Sequence, residues 1–347
     1  MISSNPARQR ISIAMATYNG ASFLADQLAS LARQTWLPLE LVVTDDRSSD
    51  DTLQVLQSFA STAPFPVHVH QNEKQLGYRD NFLKAASLCC GEIIAFCDQD
   101  DVWLPEKLAA LAPAFDDDDV LVVAHDALVV DRDMNLLRYY KTPPCESPFA
   151  VQFGFSIAFR AELPFFRLAE RPESERRTDG TLLAHDQWII FLGTALGKSR
   201  NIRQALVRYR QHDQNTCGFD TPAARTTPEM SDRAHQYQRH SQFASGRALA
   251  LQRMIQLDYI DQRRLPAARN SILRWQNLSR YLTNRAGIFA DAHFVARQGF
   301  WLHNLVHLAY CKNNLGYRAM IKDGIVALLG ANLVNRLYRL KQARSRT

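Results

Sequence analysis

The sequence predicts an α/β protein: a doubly wound, mainly parallel sheet flanked by helices, with an α-helical appendage in the C-terminal region. Three observations lead there. Over the first 135 residues, short apolar runs with strand character alternate with segments whose apolar residues recur at helical spacing, the pattern of parallel strands joined by crossover helices. Three polar sequences, Thr17-Tyr18-Asn19, Asp45-Asp46 and Asp98-Gln99-Asp100-Asp101, each follow such a run directly. From about Pro228 strand signals stop and helical spacing alone continues.

The elements follow in order. Residues 11–15 (ISIAM) read as a strand, and Leu24, Leu28 and Leu31 mark the inner face of a helix ending before Pro38. Residues 39–43 read as a second strand, apolar apart from Glu40, as expected where both faces are covered. Ser49 and Asp50 suit the cap of a helix whose inner face is Leu53, Leu56 and Phe59. A short strand over 67–70, a helix over 78–88 and a strand over 92–97 come next. Pro105 opens a helix at its first turn, with Leu108 and Leu111 inward, and residues 121–124 are a further strand. Residues 157–159 read as another strand, and an apolar helix begins near Asp186. Ile272, Trp275, Ser279 and Leu282 and the run 294–310 keep helical spacing, after a loop-rich hinge over 217–227. The division expected is a catalytic domain over 1–220 and a helical region with a basic tail over 221–347.

Composition bounds the function. The chain has 347 residues, 46% of them apolar, and a net charge of +6, ordinary for a globular protein. The basic excess lies in the last third, and no basic stripe with interleaved stacking aromatics suggests nucleic acid. The six cysteines, Cys89, Cys90, Cys97, Cys145, Cys217 and Cys311, show no CxxC or metal-finger spacing and read as small buried residues of a reducing compartment. Neither a signal-peptide core nor an apolar run of about 18 residues is found. A cytoplasmic protein is expected, with contact at the inner membrane face through its basic C-terminal region as an option. There Ile325, Leu328, Leu329, Leu333 and Leu337 stand beside Arg336, Arg339, Lys341 and Arg344. Such a helix either lies on anionic lipid or packs on the protein with a solvated basic face. Amphipathicity alone favours packing.

The chemistry starts with the cluster at 98–101, which sets three carboxylates within four residues after an apolar strand. Like charges this close call for a cation, and oxygen ligands without nearby cysteine favour Mg²⁺ or Mn²⁺ shared with a phosphate. Ligands of doubly wound sheets bind beyond the carboxyl ends of strands. The acidic run 116–119, between a helix and a strand, reads instead as a solvated turn. Asp186 taken alone reads as a helix cap. Trp103 and Trp188 read as core residues rather than sugar-stacking ones.

Six segments, ISIAMATYNG, LVVTDDRSSDDT, QLGYRDNF, AFCDQDDVWLPEKL, HDQWII and VRYRQH, stand in one order over roughly residues 9–215. In them the sequence resembles glycosyltransferase family 2, inverting enzymes with the GT-A fold, and AFCDQDDVWLPEKL with RYRQH is similar to its rhamnosyltransferase-like branch. The resemblance implies a nucleotide-sugar site. Asp46 would accept the imide N–H of uracil or thymine, Tyr18 would stack on the base, and Thr17 and Asn19 would complete that loop. Arg79 would approach the diphosphate. Asp98 would lie near ribose and metal, Asp100 would bind the metal, and His212 would join the metal shell or touch the diphosphate. Arg208 and Arg210 would meet phosphate or solvent, and residues 154–156 would line the acceptor side. Asp186 matches the catalytic carboxylate. Two departures stand out: Ala16 replaces a hydroxyl residue of some relatives, and His185 replaces the acidic residue usual before the base.

The implied reaction is inverting transfer of a sugar, L-rhamnose from dTDP-rhamnose first and a UDP-linked hexose second. The implied acceptor is a lipid-linked glycan of bacterial surface polysaccharide, such as lipopolysaccharide O-antigen. A sugar-phosphate nucleotidyltransferase is the alternative, although TYNGASF lacks the basic residues that would cradle a triphosphate. A dehydrogenase is excluded for want of GxGxxG.

Overall fold

A computed structural model describes residues 9–149, 151–164, 184–213, 215, 230–290, 293–307, 309, 316–331, 333–334 and 336. The hinge expected over 217–227, the basic tail beyond 336, Cys217 and Cys311 lie outside them. The chain divides into two compact units, one ending at Phe219 and the other running from Asp220.

The first unit holds β1 (Ile11–Thr17), α1 (Ala21–Ala32), β2 (Glu40–Asp45), α2 (Thr52–Ala60), β3 (Val67–Gln71), α3 (Tyr78–Ser87) and β4 (Ile93–Cys97). These continue into β5 (Val102–Trp103), α4 (Lys107–Leu111), β6 (Val120–Val130), β7 (Leu136–Tyr140), β8 (Ile157–Arg160), α5 (His185–Leu196) and β9 (Lys198–Arg210). The sheet runs β3-β2-β1-β4-β8-β6-β9-β5, with β7 also on β6. Its first four strands are parallel. Beyond β4 the sheet is mixed, since β8 is antiparallel to both β4 and β6 while β9 returns parallel to β6.

Alternation along β1 sorts the two faces. Ile11, Ile13 and Met15 join one core with Leu24, Leu28 and Leu31 of α1, Leu56 of α2, and Leu108 and Leu111 of α4. On the other face Phe96 of β4 meets Phe82 of α3 at 5.4 Å, Phe159 of β8 at 5.1 Å and His185 of α5 at 4.7 Å between ring centroids. Helices therefore cover both sides. The pairings Thr17 with Asp45 and Met15 with Cys97 bring the carboxyl ends of β2, β1 and β4 level. The three polar sequences thus become neighbours.

Several elements differ from the pattern in the sequence. β6 runs to Val130 rather than stopping at 124, because buried His125 and Asp126 interrupt the apolar run while His125 Nδ1 and the Asp126 carboxylate find partners. Asp126 accepts from the Thr142 N–H at 2.9 Å, the Tyr139 hydroxyl at 2.8 Å and Arg203 at 3.2 Å. β9, thirteen residues with four Arg among them, lacks the apolar signal that marks the other strands. α4 begins after Glu106, so Pro105 lies before the helix rather than in its first turn. Asp50 accepts the N–H groups of both Thr52 and Ala21, serving two helix starts. Residues 116–119 form the expected turn, where Asp117 and Asp118 pair with Lys198 and Arg160. Trp103 and Trp188 are core. Cys97 and Cys145 are buried, but Cys90 is exposed.

The second unit is helical: α6 (Met230–Gln256), α7 (Leu265–Phe289), α8 (Phe294–Val306) and α9 (Gly316–Leu329). Ser241 joins α6 to α7 through the Ser279 carbonyl at 2.9 Å and the Thr283 hydroxyl at 2.7 Å. Ile272, Trp275 and Leu282 are buried as their spacing predicts. Ile325, Leu328, Leu329 and Leu333 face outward, against the packing that amphipathicity alone favours. Among the described residues no helix is long and apolar enough to cross a membrane.

Candidate active site

A cavity of about 480 Å³ opens at the carboxyl ends of β1, β2 and β4. Thr17, Tyr18, Asp46, Asp98, Asp100 and Asp186 all line it, together with Ala16, Asn81, Gly154, His185 and Asn215. Six of the nine site residues expected from the sequence thus share one space.

Side-chain to backbone hydrogen bonds fix the loops around it. The Gln99 amide bridges the Tyr18 backbone, accepting its N–H at 2.9 Å and donating to its carbonyl at 3.1 Å. This clamps the loop after β1 to the acidic loop after β4. Asn19 has a left-handed backbone (φ 47°) and accepts the Ser49 N–H at 2.8 Å, a conformation Asn tolerates well. It stitches loops together and does not line the cavity. Thr17 donates to Asp45 at 3.0 Å, and Asp45 also takes the Ser48 N–H at 2.9 Å. Asn81, fully buried, donates to the Thr44 carbonyl at 2.8 Å and accepts from Asn72 at 2.9 Å.

Asp46 holds the far wall. One carboxylate oxygen accepts from Asn72 at 2.9 Å and the Leu76 N–H at 2.7 Å, and the other accepts the Gly77 N–H at 2.8 Å. A carboxylate offers about four acceptor positions, so the second oxygen keeps capacity for one more donor. Arg79 turns to its neighbour Asp80, at 2.9 and 3.2 Å, and does not line the cavity.

The acidic loop concentrates negative charge. Burial, and then the charges of Asp100 and Asp186, push the Asp98 carboxyl up to about 8. Burial, and then Asp100 and Asp98, raise Asp101 well above the carboxylate range. Asp101 is fully buried; one oxygen accepts the Arg210 N–H at 3.0 Å and the other has no partner. Asp100 meets His212 Nε2 at 3.0 Å, and the imidazole stacks on Phe23 with centroids 4.3 Å apart. Asn215 donates to Asp100 at 3.4 Å and accepts the His212 N–H at 2.6 Å. His212 therefore reaches the site through Asp100. Arg210 is buried against Phe23 and paired with Asp26 at 2.9 Å, whereas Arg208 is exposed. Among the described residues no group of three or more His, Cys, Asp and Glu side chains is arranged to hold a metal ion.

Asp186 is the second residue of α5, inside its first turn, and the N-cap position belongs to Ala184. The cap reading is thereby corrected: its carboxylate accepts the Gln187 N–H at 2.6 Å from within the helix and faces the cavity. His185 stacks on Phe82 with centroids 4.1 Å apart and lies edge-on to Phe96. It serves as an aromatic wedge, and this explains Gly154, where a Cβ would come within 2.7 Å of His185 Nε2.

Lys107 carries no expectation from sequence. It is fully buried, donates to the Phe155 carbonyl at 2.7 Å, lies 3.6 Å over the Trp103 ring and is pushed down to about 7 by burial, with Cys97, Asp101 and Asp98 opposing. It ties the 154–156 turn, one wall of the cavity, to the acidic loop. Its place at the start of α4, on the inward stripe with Leu108 and Leu111, is the available signal.

Comparison with known proteins identifies the family. The model described as "Glycosyl transferase family 2" matches residues 12–169. The dTDP-rhamnosyl transferase RfbG of Shigella flexneri is 31% identical over 231 residues, 59% of this chain and 73% of its own length. An uncharacterized glycosyltransferase of Nostoc sp. is 29% identical over 218 residues, 59% of this chain and 66% of its own. Among solved structures, residues 1–349 of S. aureus TarS give a TM-score of 0.49 at 18% identity, covering 90% of each chain. Sequence likeness of this extent removes the nucleotidyltransferase alternative, and the chain belongs to glycosyltransferase family 2.

Proposed function

We propose that the cavity binds a nucleotide-sugar donor and that Asp186 is the general base of an inverting transfer. The observation that carries this is the meeting of Asp46, Asp98, Asp100 and Asp186 around one space of about 480 Å³, the size of a small-molecule site. The free acceptor capacity of Asp46 suits the imide N–H of uracil or thymine, and exposed Tyr18 offers a stacking face. Thr17 shapes the same end through Asp45, and Asn19 holds its loop. Arg79 joins the diphosphate only if it leaves Asp80.

Asp186 takes the proton of the acceptor hydroxyl as its oxygen bonds to the anomeric carbon. The bond from that carbon to the diphosphate oxygen breaks on the opposite side, and the nucleoside diphosphate leaves with the electron pair. One displacement gives inversion. A general base of this kind contributes about 10²–10⁴-fold.

The charge of the acidic loop favours a divalent cation, although its side chains do not stand as a three-ligand set among the described residues. Negative charge is in excess, one oxygen of buried Asp101 lacks a partner, and Asp100 with His212 offers an oxygen and a nitrogen donor. Asp100, Asp98 and His212 would hold it. Bound Mg²⁺ or Mn²⁺ supplies neutralisation of the charge growing on the departing diphosphate.

The donor we favour is dTDP-L-rhamnose, on the likeness to RfbG, with UDP-hexoses second. The acceptor we favour is a lipid-linked glycan of bacterial surface polysaccharide, met at the cytoplasmic face of the membrane. A donor panel scored by released nucleoside diphosphate, with and without Mn²⁺, tests this. Acceptor-dependent release from dTDP-rhamnose that needs the cation supports it. Release from no donor, or retention at the anomeric carbon by NMR of the product, overturns it.

A further inference from the structure

We infer that the outward faces of α8 and α9 lie on an anionic lipid bilayer, parallel to its surface. What carries this is a helix that is apolar on its outward face as well as its inward one. Inward on α9 are Val326, Ala327 and Asp323, the last fully buried and paired with Arg285 of α7 at 2.7 Å. Outward are Ile321, Ile325, Leu328 and Leu329, 58%, 47%, 60% and 39% exposed, and every exposed residue from 321 to 329 is apolar. Their spacing of four, seven and eight residues sets them on one stripe, which exposed Leu333 extends. An ordinary surface helix keeps its outward face polar.

α8 repeats the pattern. It packs on α9 through Trp301, whose indole N–H donates to the Met320 carbonyl at 3.2 Å, and through Arg297, which donates to the Ala327 carbonyl at 3.2 Å. Its Val295, Leu302 and Val306 remain exposed. Outward apolar stripes on two packed helices mark an interaction surface.

Charge selects what covers it. Residues 261–347 contain fifteen Lys and Arg against three Asp and no Glu, although the whole chain nets only +6. Two copies of so basic a unit repel one another, whereas an anionic leaflet attracts it. Since no described helix is able to cross a membrane, the apolar stripes enter only the headgroup boundary. This deepens the reading of a lipid-linked acceptor and rests on it for its purpose, but lipid binding needs neither donor nor acceptor, so the two are tested apart.

The test is co-sedimentation of the full chain with vesicles of phosphatidylglycerol and phosphatidylethanolamine, set against phosphatidylcholine alone. Binding to the anionic vesicles is expected, weaker by about tenfold or more to the neutral ones. Ile325→Glu combined with Leu328→Glu is expected to weaken anionic binding about tenfold or more, with donor turnover unchanged. Leu249→Glu, at an exposed position of α6, leaves binding as it was. If circular dichroism finds the double variant unfolded, Ile325→Gln alone supplies the comparison. No binding to anionic vesicles, or undiminished binding by the folded variant, overturns the inference. So does light scattering that finds a dimer which the variant disrupts.

Discussion

At Gly154 the missing side chain is a requirement of the site. A Cβ there meets His185 Nε2 at 2.7 Å, and His185 has nowhere to go, wedged between Phe82 and Phe96. Gly154→Ala is therefore expected to cost about 1–3 kcal/mol in chemical denaturation, the usual range for overpacking. Because His185 immediately precedes Asp186, kcat is expected to fall further than donor affinity. Wild-type kcat in a destabilised variant would separate the wedge from the chemistry. Asp46 is a second residue with two duties, holding the 76–77 backbone while facing the cavity. Its loss thus loosens a wall as well as removing an acceptor.

The elements position these residues through their ends. Parallel β1, β2 and β4 place three polar loops side by side, and Gln99 and Lys107 then fasten the loops to one another. Lys107→Met leaves the buried Phe155 carbonyl without its donor and removes the cation beside Asp98 and Asp101. A loss of about 2–4 kcal/mol is expected in urea denaturation, and an unchanged midpoint would contradict the tether. Asp98, Asp100 and Asp186 were legible in the sequence because strand ends and a family motif announce them. Gln99 and Lys107 were not, since their partners are 81 and 48 residues away and no local period encodes such a meeting. β9 was missed for a related reason. Its pairing with β6 and β5 imposes strand geometry on a sequence whose polar residues give no alternation. The sequence leaves the stripe of α9 between lipid and packing, because amphipathicity fixes which residues share a face, not which way that face points.

At the scale of the whole molecule, pH acts through buried His125. It is fully buried, its Nδ1 meets the Asp126 carbonyl at 2.8 Å, and burial holds it well below its ordinary 6.5. A carbonyl only accepts, so Nδ1 carries the proton and the ring is neutral. A depressed folded value means the stability is present above 6.5 and is lost progressively as pH falls below it. Thermal melts from pH 7.5 to 5 are expected to show this fall, and His125→Gln to flatten it; an equal fall in the variant would assign the effect elsewhere. The central claim concerns transfer, and it is tested most directly with Asp186→Asn, comparing donor binding by calorimetry with turnover. Donor affinity within about twofold of wild type is expected, with turnover about 10²–10⁴-fold lower. Near-normal turnover in that variant would contradict Asp186 as the base.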